Sequence, residues 1–464
     1  MRETNRKTNV PTLTRRELFK VGAVTLGGFY LQPLSRPLNV LAKEKVEPRG
    51  TADFCIFLNL SGGASHVDTF DIKEGRWMPP DFDVRTIKPG IRMPYGLFPK
   101  LSDRIEKLAL VRSMQAWENE HIRGQYYLQV AHQTSPARNK EMPSLGSVIA
   151  YEYEKRRRES DFLPPFVAMN FTSGPFRVIG EGCLESDCTP LTMEISDRGF
   201  DFVVPESEKT RFQRRWEFLQ KLDKSLRSGV PPNDKFTQDF DSFYRGAHAM
   251  MESPQIPKIL TVDEESRKRY GSSRLGDACV LARNLVKANA GTRFIAISHF
   301  NWDLHGNIYN KEGHYKVTRE LDSALANLLI DLENTKAQDG RTLLEKTFVC
   351  CATEFGRTPG DLTVNKGRDH HKDAFTGIFA GAGVQGGRVI GATDDTGAKI
   401  IDPGWQKKRP VYIEDMAATI YSVMGIDWTK TITNTPSGRA FEYIEHQSGT
   451  DFIDPGEISQ LFVG

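Results

Sequence analysis

Histidine, carboxylate and arginine side chains gather in four loops at the ends of segments that have the pattern of buried strands. The four loops contain SGGASHVDTFD, SHFNWDLHGN, CATEFGRTP and GRDHHKDAF. Imidazole nitrogens and carboxylate oxygens bind zinc and manganese, and carboxylate oxygens also bind calcium. The sequence therefore predicts one shared polar site that holds a divalent metal ion, and the identity of the ion stays open among these three.

Each loop also has a plainer interpretation. Asp303 and His305, two positions apart, are typical of a turn residue followed by a surface histidine. Glu354 with Arg357 is also consistent with an ion pair that braces a loop, and the pair at positions 370 and 371 with a solvated corner. We favour a shared site because all four loops fall at the same predicted edge of one sheet.

Strand-like and helix-like segments alternate along the chain. The apolar runs 54–60, 108–111, 166–169, 292–298, 347–352 and 377–380 predict buried strands. Unbroken apolar strands that alternate with helices predict a mostly parallel sheet covered on both faces. Functional groups in such sheets lie beyond the carboxyl ends of the strands. The fold class is therefore α/β, and the four loops are expected at one edge.

Helical spacing is clear in five regions: 206–227, 235–251, 262–288, 312–337 and 413–424. Gly425 follows the last of these, at a position where glycine commonly ends a helix. Residues from about 185 to 260 read as a mostly helical insertion without a strand of its own. We place one large domain at 43–464, with this insertion inside it.

The first 42 residues have the pattern of a twin-arginine export signal. The segment TRRELFK precedes an apolar, Gly-containing run over 21–34, and Val40 and Ala42 suit a cleavage site after residue 42. The run is too short to span a bilayer of about 30 Å comfortably. We expect the twin-arginine translocase as a partner during export, and a periplasmic or extracellular mature protein.

The charge balance argues against nucleic-acid binding. The whole chain has 62 basic and 60 acidic residues, and the first 42 residues contain seven basic and two acidic ones. The remaining chain has a net charge of −3, so the basic surplus belongs to the signal. No nucleic acid is expected as a partner.

Five segments, taken in order, resemble a known family. They are FLNLSGGASHVDTFDIK, NEHIRGQYYLQVAHQTSPARNKEMPSLGSVIAYE, SHFNWDLHGN, CATEFGRTP with GRDHHKDAF, and VYIEDMAATIYSVMGID. By them the chain is identified as a member of an exported family known as domain of unknown function fifteen-oh-one. That family is similar to the alkaline phosphatase and sulfatase superfamily of metal-dependent phosphate- and sulfate-ester hydrolases. The resemblance implies an alkaline phosphatase-like fold and an ester substrate, which includes a polysaccharide ester.

The resemblance leads to a scheme for the site. Asp303, His305, Glu354 and His370 would hold the metal, which would activate water. Arg357 or Arg368 would neutralise the ester oxyanion. His66 or His371 would serve as general acid or base.

The chain also departs from the superfamily pattern. The first strand ends in Asn59, Leu60 and Ser61 where a ligand aspartate is expected, and Phe355 stands where a ligand histidine is expected. No obvious nucleophile matches the usual segment. These departures favour an alternative function: a non-catalytic, degenerate hydrolase fold that binds a glycan or a surface partner.

Overall fold

The apolar segment Phe54–Leu60 forms strand β1, and all seven of its residues are buried. Successive side chains of a strand point to opposite faces of a sheet, so complete burial requires cover on both faces. β1 lies near the middle of the main sheet, where this cover is available.

The computed structural model describes residues 46–462 apart from 173, 196–203, 205, 228–230, 232–233, 436 and 446–453. The export signal predicted at 1–42 lies outside the described residues. Residues Glu47–Gly464 form one compact unit. Within the described ranges, no helix is both long enough and apolar enough to cross a membrane.

The strands are numbered in chain order. They are β1 Phe54–Leu60, β2 Val84–Lys88, β3 Ile91–Pro94, β4 Ala109–Met114, β5 Phe166–Met169, β6 Leu191–Met193, β7 Phe294–His299, β8 Thr347–Ala352, β9 Gly356–Arg357, β10 His370–His371, β11 Phe375–Ala380, β12 Arg388–Ile390, β13 Ala392–Thr393, β14 Ile400–Asp402, β15 Thr431–Ile432 and β16 Phe441–Glu442.

The α-helices are numbered in the same way. They are α1 Pro99–Ser102, α2 His121–Val130, α3 Leu145–Glu154, α4 Lys209–Leu226, α5 Lys235–Glu252, α6 Ile256–Ile259, α7 Glu264–Arg269, α8 Arg274–Ala288, α9 His314–Asn334, α10 Leu343–Lys346 and α11 Ile413–Val423.

Eight strands form the main sheet in the order β12-β4-β11-β8-β1-β7-β5-β6. β1 pairs in parallel with β7 and β8, and β5 pairs in parallel with β6 and β7. β11 runs antiparallel to both β8 and β4, so β4 has the same direction as β8. The mostly parallel sheet predicted from the sequence is confirmed. The carboxyl ends of β1, β4, β5, β7 and β8 therefore lie at one edge.

Helices pack on both faces of this sheet. On one face, Ile56 of β1 and Ile295 of β7 belong to a buried apolar cluster with Leu281 of α8. On the other face, Gly146 of α3 packs so closely that an added Cβ atom would lie 2.6 Å from the Phe294 ring. Phe294 and Ile295 are neighbours in β7 and point to opposite faces, which places α8 and α3 on opposite sides.

Most predicted elements agree with the structure, and two differ in a physically simple way. The predicted helix 262–288 is two helices, α7 and α8, because Gly271 and Ser272 between them have positive φ values of 98° and 49°. The insertion 185–260 contains α4 and α5 and also strand β6, which the sequence does not predict. β6 has three residues and pairs only with β5, so it is too short for an apolar pattern.

Candidate metal centre

Four side chains meet at the carboxyl edge of the main sheet: His121, Asp303, His305 and His370. One potential ligand atom from each lies within 4.8 Å of the others. His305 Nε2 is 2.9 Å from Asp303 Oδ1 and 3.0 Å from His370 Nε2, and His121 Nε2 is 3.2 Å from Asp303 Oδ1. We call these four residues the histidine cluster.

Different elements bring the cluster together. Asp303 and His305 lie in the loop after β7, and His370 lies on β10, which pairs antiparallel with β9. His121 is the first residue of α2, which follows β4. The Glu120 side chain caps this helix by accepting hydrogen bonds from two backbone N–H groups of the first turn, at 3.0 and 3.1 Å. The cap fixes the direction in which α2 begins, and with it the position of the His121 ring.

Each imidazole of the cluster has its Nδ1 atom beside an oxygen acceptor. The pairs are His121 with Glu354 Oε1 at 2.8 Å, His305 with Asp369 Oδ1 at 3.1 Å, and His370 with the Asn119 carbonyl oxygen at 2.6 Å. An acceptor at Nδ1 favours a proton there, so Nε2 is the atom that each ring turns toward the cluster. Histidines that bind metals are oriented in this way.

The Nε2 atoms of His305 and His370 face each other at 3.0 Å. Arg357 Nη1 lies 3.1 Å from His305 Nε2, and Asp303 Oδ1 lies 2.9 Å from the same nitrogen. Two imidazole nitrogens and a carboxylate oxygen therefore lie close enough together to share one cation.

The His121 ring supplies a third nitrogen. Its Nε2 atom is buried and lies 3.2 Å from Asp303 Oδ1. Burial lowers the pKa of His121, but the carboxyl groups of Asp303 and Glu354 more than compensate and raise it to about 9. The ring therefore holds a proton that a metal ion would replace. Three imidazole nitrogens and one carboxylate oxygen fit zinc or manganese better than calcium, which prefers oxygen ligands.

Glu354, predicted as a metal ligand, lies behind His121 rather than in the cluster. Its side chain is fully buried, and Oε1 accepts hydrogen bonds from His121 Nδ1 and from the Gly62 backbone N–H at 2.9 Å. Thr353 Oγ1 is 3.0 Å from Oε2. Glu354 therefore holds the ring of a candidate ligand. The ion pair with Arg357 that we considered as the plainer interpretation is replaced by one between Arg357 and Asp303.

Arg357, predicted to neutralise an ester oxyanion, is almost fully buried and its donors are occupied. Nε donates to the Gly63 carbonyl at 2.9 Å, Nη1 to the Arg368 carbonyl at 3.0 Å and to His305, and Nη2 to the Gly62 carbonyl and to Asp303. These contacts use all five N–H groups of the guanidinium. Arg357 thus positions two cluster residues and has no donor left for an ester.

Arg368, the other predicted oxyanion partner, points away from the cluster. Its guanidinium binds Asp68 through two hydrogen bonds of 2.6 and 3.0 Å, and Nη1 donates to the carbonyls of Thr358 and Gly360. Both side chains of the Arg368–Asp68 pair are at most 1% exposed. This pair ties the loop after β9 to the loop after β1, which is a structural task.

His66 and His371, predicted as general acid or base, lie together on the other side of the β9–β10 ribbon. Adjacent residues of a strand face opposite ways, so His371 points away when His370 points to the cluster. The two rings stack with centroids 6.0 Å apart, and their Nε2 atoms lie near the carbonyl oxygens of Gly397 and Ala398. Burial lowers the pKa of His66 to about 4. Neither ring reaches the cluster.

His121 is the residue that the sequence analysis did not place in the metal site. The position of His121 after β4 indicates the site, because the carboxyl end of β4 lies at the same edge as those of β7 and β8. An irregular stretch of six residues separates Met114 from His121, which hides the relation to the strand end.

A close backbone approach holds the loops at the cluster. Gly62 has φ +114°, and a Cβ atom there would lie 2.5 Å from the Asp303 backbone nitrogen. Only glycine allows both the conformation and the contact. The turn after β1 therefore supports the loop that carries Asp303 and His305.

A cleft of about 910 Å³ opens beside the cluster, and His121 and Asp303 line it. Ser61 and Gly62 at the end of β1 and Ser298 and His299 at the end of β7 also line it. A molecule bound in the cleft would therefore lie within reach of the candidate metal ligands.

Comparisons with known proteins identify one matching family and several distantly similar solved structures. A family model described as "Protein of unknown function (DUF1501)" matches residues 52–450. No curated protein matches the chain in sequence.

Three solved structures show the distant likeness. A protein in the alkaline phosphatase superfamily from Vibrio parahaemolyticus is 11% identical with a TM-score of 0.38, over 82% of this chain and 69% of its own. The PsFucS1 sulfatase from Pseudoalteromonas sp. is 11% identical with a TM-score of 0.37, over 89% and 72%. The phosphonate monoester hydrolase SpPMH from Silicibacter pomeroyi is 10% identical with a TM-score of 0.38, over 81% and 74%.

Proposed function

This chain belongs to the family of proteins of unknown function DUF1501, and we propose that it is an exported, metal-dependent hydrolase of phosphate or sulfate esters. One observation carries the proposal. Three imidazole Nε2 atoms and the Asp303 carboxylate converge within 4.8 Å, and each imidazole is held from behind by an oxygen acceptor. This is the arrangement that metal sites use to orient histidine ligands.

The proposed ligands are His121, Asp303, His305 and His370. Their nitrogen-rich donor set favours zinc or manganese over calcium. A divalent cation there supplies a Lewis acid that polarises the ester oxygens and lowers the pKa of a water molecule. Attack by water removes the need for the hydroxyl nucleophile that the sequence lacks.

The chain's own residues have positioning roles in this proposal. Glu354 and Asp369 hold the Nδ1 protons of His121 and His305, which directs the opposite nitrogens to the cluster. Arg357 fixes the Asp303 carboxylate and donates to no part of the ester, because its donors are occupied. The proposal gives Arg368, His66 and His371 no part in the reaction.

Metal content and hydrolysis test the proposal together. The protein from residue 43 onward, dialysed against zinc or manganese and then against metal-free buffer, should retain at least one ion per chain by inductively coupled plasma mass spectrometry. The loaded protein should hydrolyse 4-nitrophenyl phosphate or 4-nitrophenyl sulfate, and chelation should stop the reaction. Protein that retains no metal and hydrolyses neither ester would overturn the proposal.

Metal retention without hydrolysis would favour the alternative predicted from the sequence, a protein that binds a glycan or a surface partner. The buried, fully occupied guanidinium of Arg357 is the observation that favours this alternative, because it removes the predicted oxyanion partner. Retention of the metal-loaded protein on a glycan column would then support the binding function.

Export is part of the proposal and rests on the paired arginines Arg15 and Arg16. The twin-arginine translocase moves folded proteins, which suits a site assembled from distant segments. The double variant R15K/R16K should leave the precursor in the cytoplasm, as shown by cell fractionation. Normal appearance of the mature protein outside the membrane would contradict the proposed route.

A further inference from the structure

Helix α4 of the insertion packs on α5 through one side. The rings of Phe212 and Trp216 stack on the His248 ring of α5, with centroids 5.4 and 4.2 Å away. Arg227, the residue after α4, pairs with Asp241 of α5 at 2.5 Å. These contacts define the side of α4 that faces α5.

Helix α5 joins the insertion to the rest of the compact unit through its opposite side. Asp239 accepts a hydrogen bond from Ser186 Oγ at 3.0 Å, and Met250 packs against the main apolar core. Asp239 and His248 are nine positions apart, about two and a half turns, so they point in opposite directions. Helix α4 is therefore held on the outer side of α5.

Two large apolar side chains lie on the side of α4 that points away from α5. Phe218 is 62% exposed, and Leu222, about one turn later, is 44% exposed. Phe218 follows Trp216 by two positions, so its side chain points about 200° around the helix from the ring that packs on α5. Both side chains thus remain in contact with solvent, although burial would stabilise each of them.

Basic residues surround this apolar pair on the helix surface. They are Arg211, Arg214, Arg215 and Lys221. At about 3.6 residues per turn, each of them points within about 60° of the Phe218 direction. The acidic residues of α4, Glu217 and Asp223, point about 100° or more away from that direction. We call the apolar pair and its four basic neighbours the basic apolar face.

Most positive charges of the basic apolar face are free to meet a ligand. Arg211 Nη1 lies 3.5 Å from Glu208 Oε2, and both of these side chains are more than half exposed. Arg214, Arg215 and Lys221 are exposed and form no ion pair with another described residue. The chain after residue 42 has a net charge of −3, so this face is a local concentration of positive charge.

A membrane surface with anionic lipids matches this face in both charge and apolarity. Helices with basic residues beside aromatic and aliphatic ones lie in the plane of the membrane interface. Lipid phosphates attract the basic groups, and the long basic side chains keep their charges at the headgroups while apolar residues go deeper. A second copy of the chain fits less well, because a two-fold contact would place the same positive charges against each other.

We propose that the basic apolar face of α4 docks the protein onto a membrane surface that contains anionic lipid. Phe218 and Leu222 enter the boundary between headgroups and acyl chains, and the basic side chains bind headgroup phosphates. The helix lies in the interface and does not cross the bilayer. The docking is independent of the proposed hydrolysis, because no residue of the face belongs to the histidine cluster or lines its cleft.

Co-sedimentation with vesicles tests the proposal on the protein from residue 43 onward, which contains the whole compact unit. The protein should bind vesicles of phosphatidylcholine and phosphatidylglycerol at least about 100-fold more tightly than vesicles of phosphatidylcholine alone. High salt should weaken the binding, because it screens exposed charges. Equal binding to the two kinds of vesicle, or binding to neither, would overturn the proposal.

A charge variant and a matched control locate the binding on α4. R214Q/R215Q/K221Q should weaken binding to the anionic vesicles by about 100-fold. The control K140Q/K258Q/K287Q removes the same number of positive charges from exposed lysines outside α4 and should bind as the parent does. Equal losses in the two triple variants would show that only the net charge matters and would also overturn the proposal.

A second variant tests the apolar pair. F218Q/L222Q keeps good helix formers at both positions and should weaken binding to the anionic vesicles by at least about 10-fold. Val364→Gln is the control, because Val364 is 99% exposed in the loop after β9 and lies outside the insertion. Full binding by F218Q/L222Q would make the interaction purely electrostatic, contrary to insertion into a lipid surface.

Sedimentation velocity without vesicles detects the competing occupant, a second copy. The parent and F218Q/L222Q should sediment alike, and both should unfold at the same urea concentration, because the changed side chains contact solvent. A parent dimer that F218Q/L222Q dissociates would make the face a protein interface and would overturn the docking to lipid.

Discussion

His305 Nε2 and His370 Nε2 lie 3.0 Å apart although 65 positions separate the two residues. Each ring is fixed through its other nitrogen, to Asp369 and to the Asn119 carbonyl. Neither ring can therefore turn away from the other without losing a hydrogen bond. The contact is a consequence of the fold and places two potential ligands where one ion would reach both.

The adjacent histidines of β10 give a matched test of the cluster. His370→Ala should lower zinc affinity by at least about 100-fold, because one of four ligands is lost. His371→Ala should leave zinc affinity unchanged, because this ring stacks on His66 on the opposite side of the ribbon. Competition titration with a zinc indicator measures both. Equal losses in the two variants would show that the ribbon is disturbed as a whole and that His370 is not a ligand.

Glu354→Gln tests whether this residue orients His121. Glutamine keeps an oxygen for His121 Nδ1 and for the Gly62 N–H, and it removes the charge. A partner behind a ligand typically changes metal affinity by about 10–100-fold, so we expect weaker zinc binding, with the ion still bound at high concentration. The same zinc titration measures the effect. Complete loss of binding would make Glu354 a direct ligand, and no change would remove it from the site.

Gly62→Ala should disturb both stability and metal binding. The new Cβ atom would lie 2.5 Å from the Asp303 nitrogen, in a backbone conformation with φ +114°. We expect a loss of about 3 kcal/mol in the free energy of unfolding, from backbone strain together with the contact. Gly90→Ala is the control, because Gly90 also has a positive φ of +79° but nothing lies within 4 Å. Urea denaturation separates the two contributions, and equal losses would show that the contact with Asp303 is unimportant.

Glu414 of α11 should make the stability of the folded protein depend on pH. Burial raises its pKa to about 8, and its carboxyl group contacts Trp117 Nε1 at 3.2 Å and the Tyr127 hydroxyl. Between the unfolded pKa of about 4.5 and about 8, the folded protein holds a proton that the unfolded chain releases. The free energy of unfolding should therefore fall as pH rises through this window, by up to about 1.4 kcal/mol per pH unit.

In the variant Glu414→Gln, the glutamine side chain has the shape of the protonated carboxyl group and does not ionise. The free energy of unfolding of this variant should change less between pH 5 and pH 8 than that of the parent, as measured by urea denaturation at both values. A variant with the same slope as the parent would show that Glu414 does not hold the proton.

The sequence predicts the sheet well because its strands are buried on both faces. β1, β5 and β8 begin and end at the predicted residues, since an unbroken apolar run needs no partner to be recognised. The rule that functional groups follow parallel strands also brought Asp303, His305 and His370 to one edge. This relation depends only on strand direction, which the alternation of strands and helices reveals.

The directions of individual side chains could not be predicted from the sequence. Glu354 follows a buried strand as predicted, but its carboxylate turns to the His121 ring and the Gly62 N–H, which belong to segments about 230 and 290 positions away. Arg368 lies beside His370 in the sequence and yet pairs with Asp68, 300 positions away. Contacts between such distant segments depend on how the loops pack, and local patterns do not contain that information.

The guanidinium of Arg357 joins the turn after β1, the loop after β7 and the loop before β10 through contacts with Gly62, Gly63, Asp303 and the Arg368 carbonyl. These segments span most of the chain, so no early fragment contains them all. The histidine cluster therefore forms only once these distant segments have met. If the proposed ion binds, it would therefore bind only to chains whose distant segments have already met. Metal uptake would then separate finished molecules from unfinished ones.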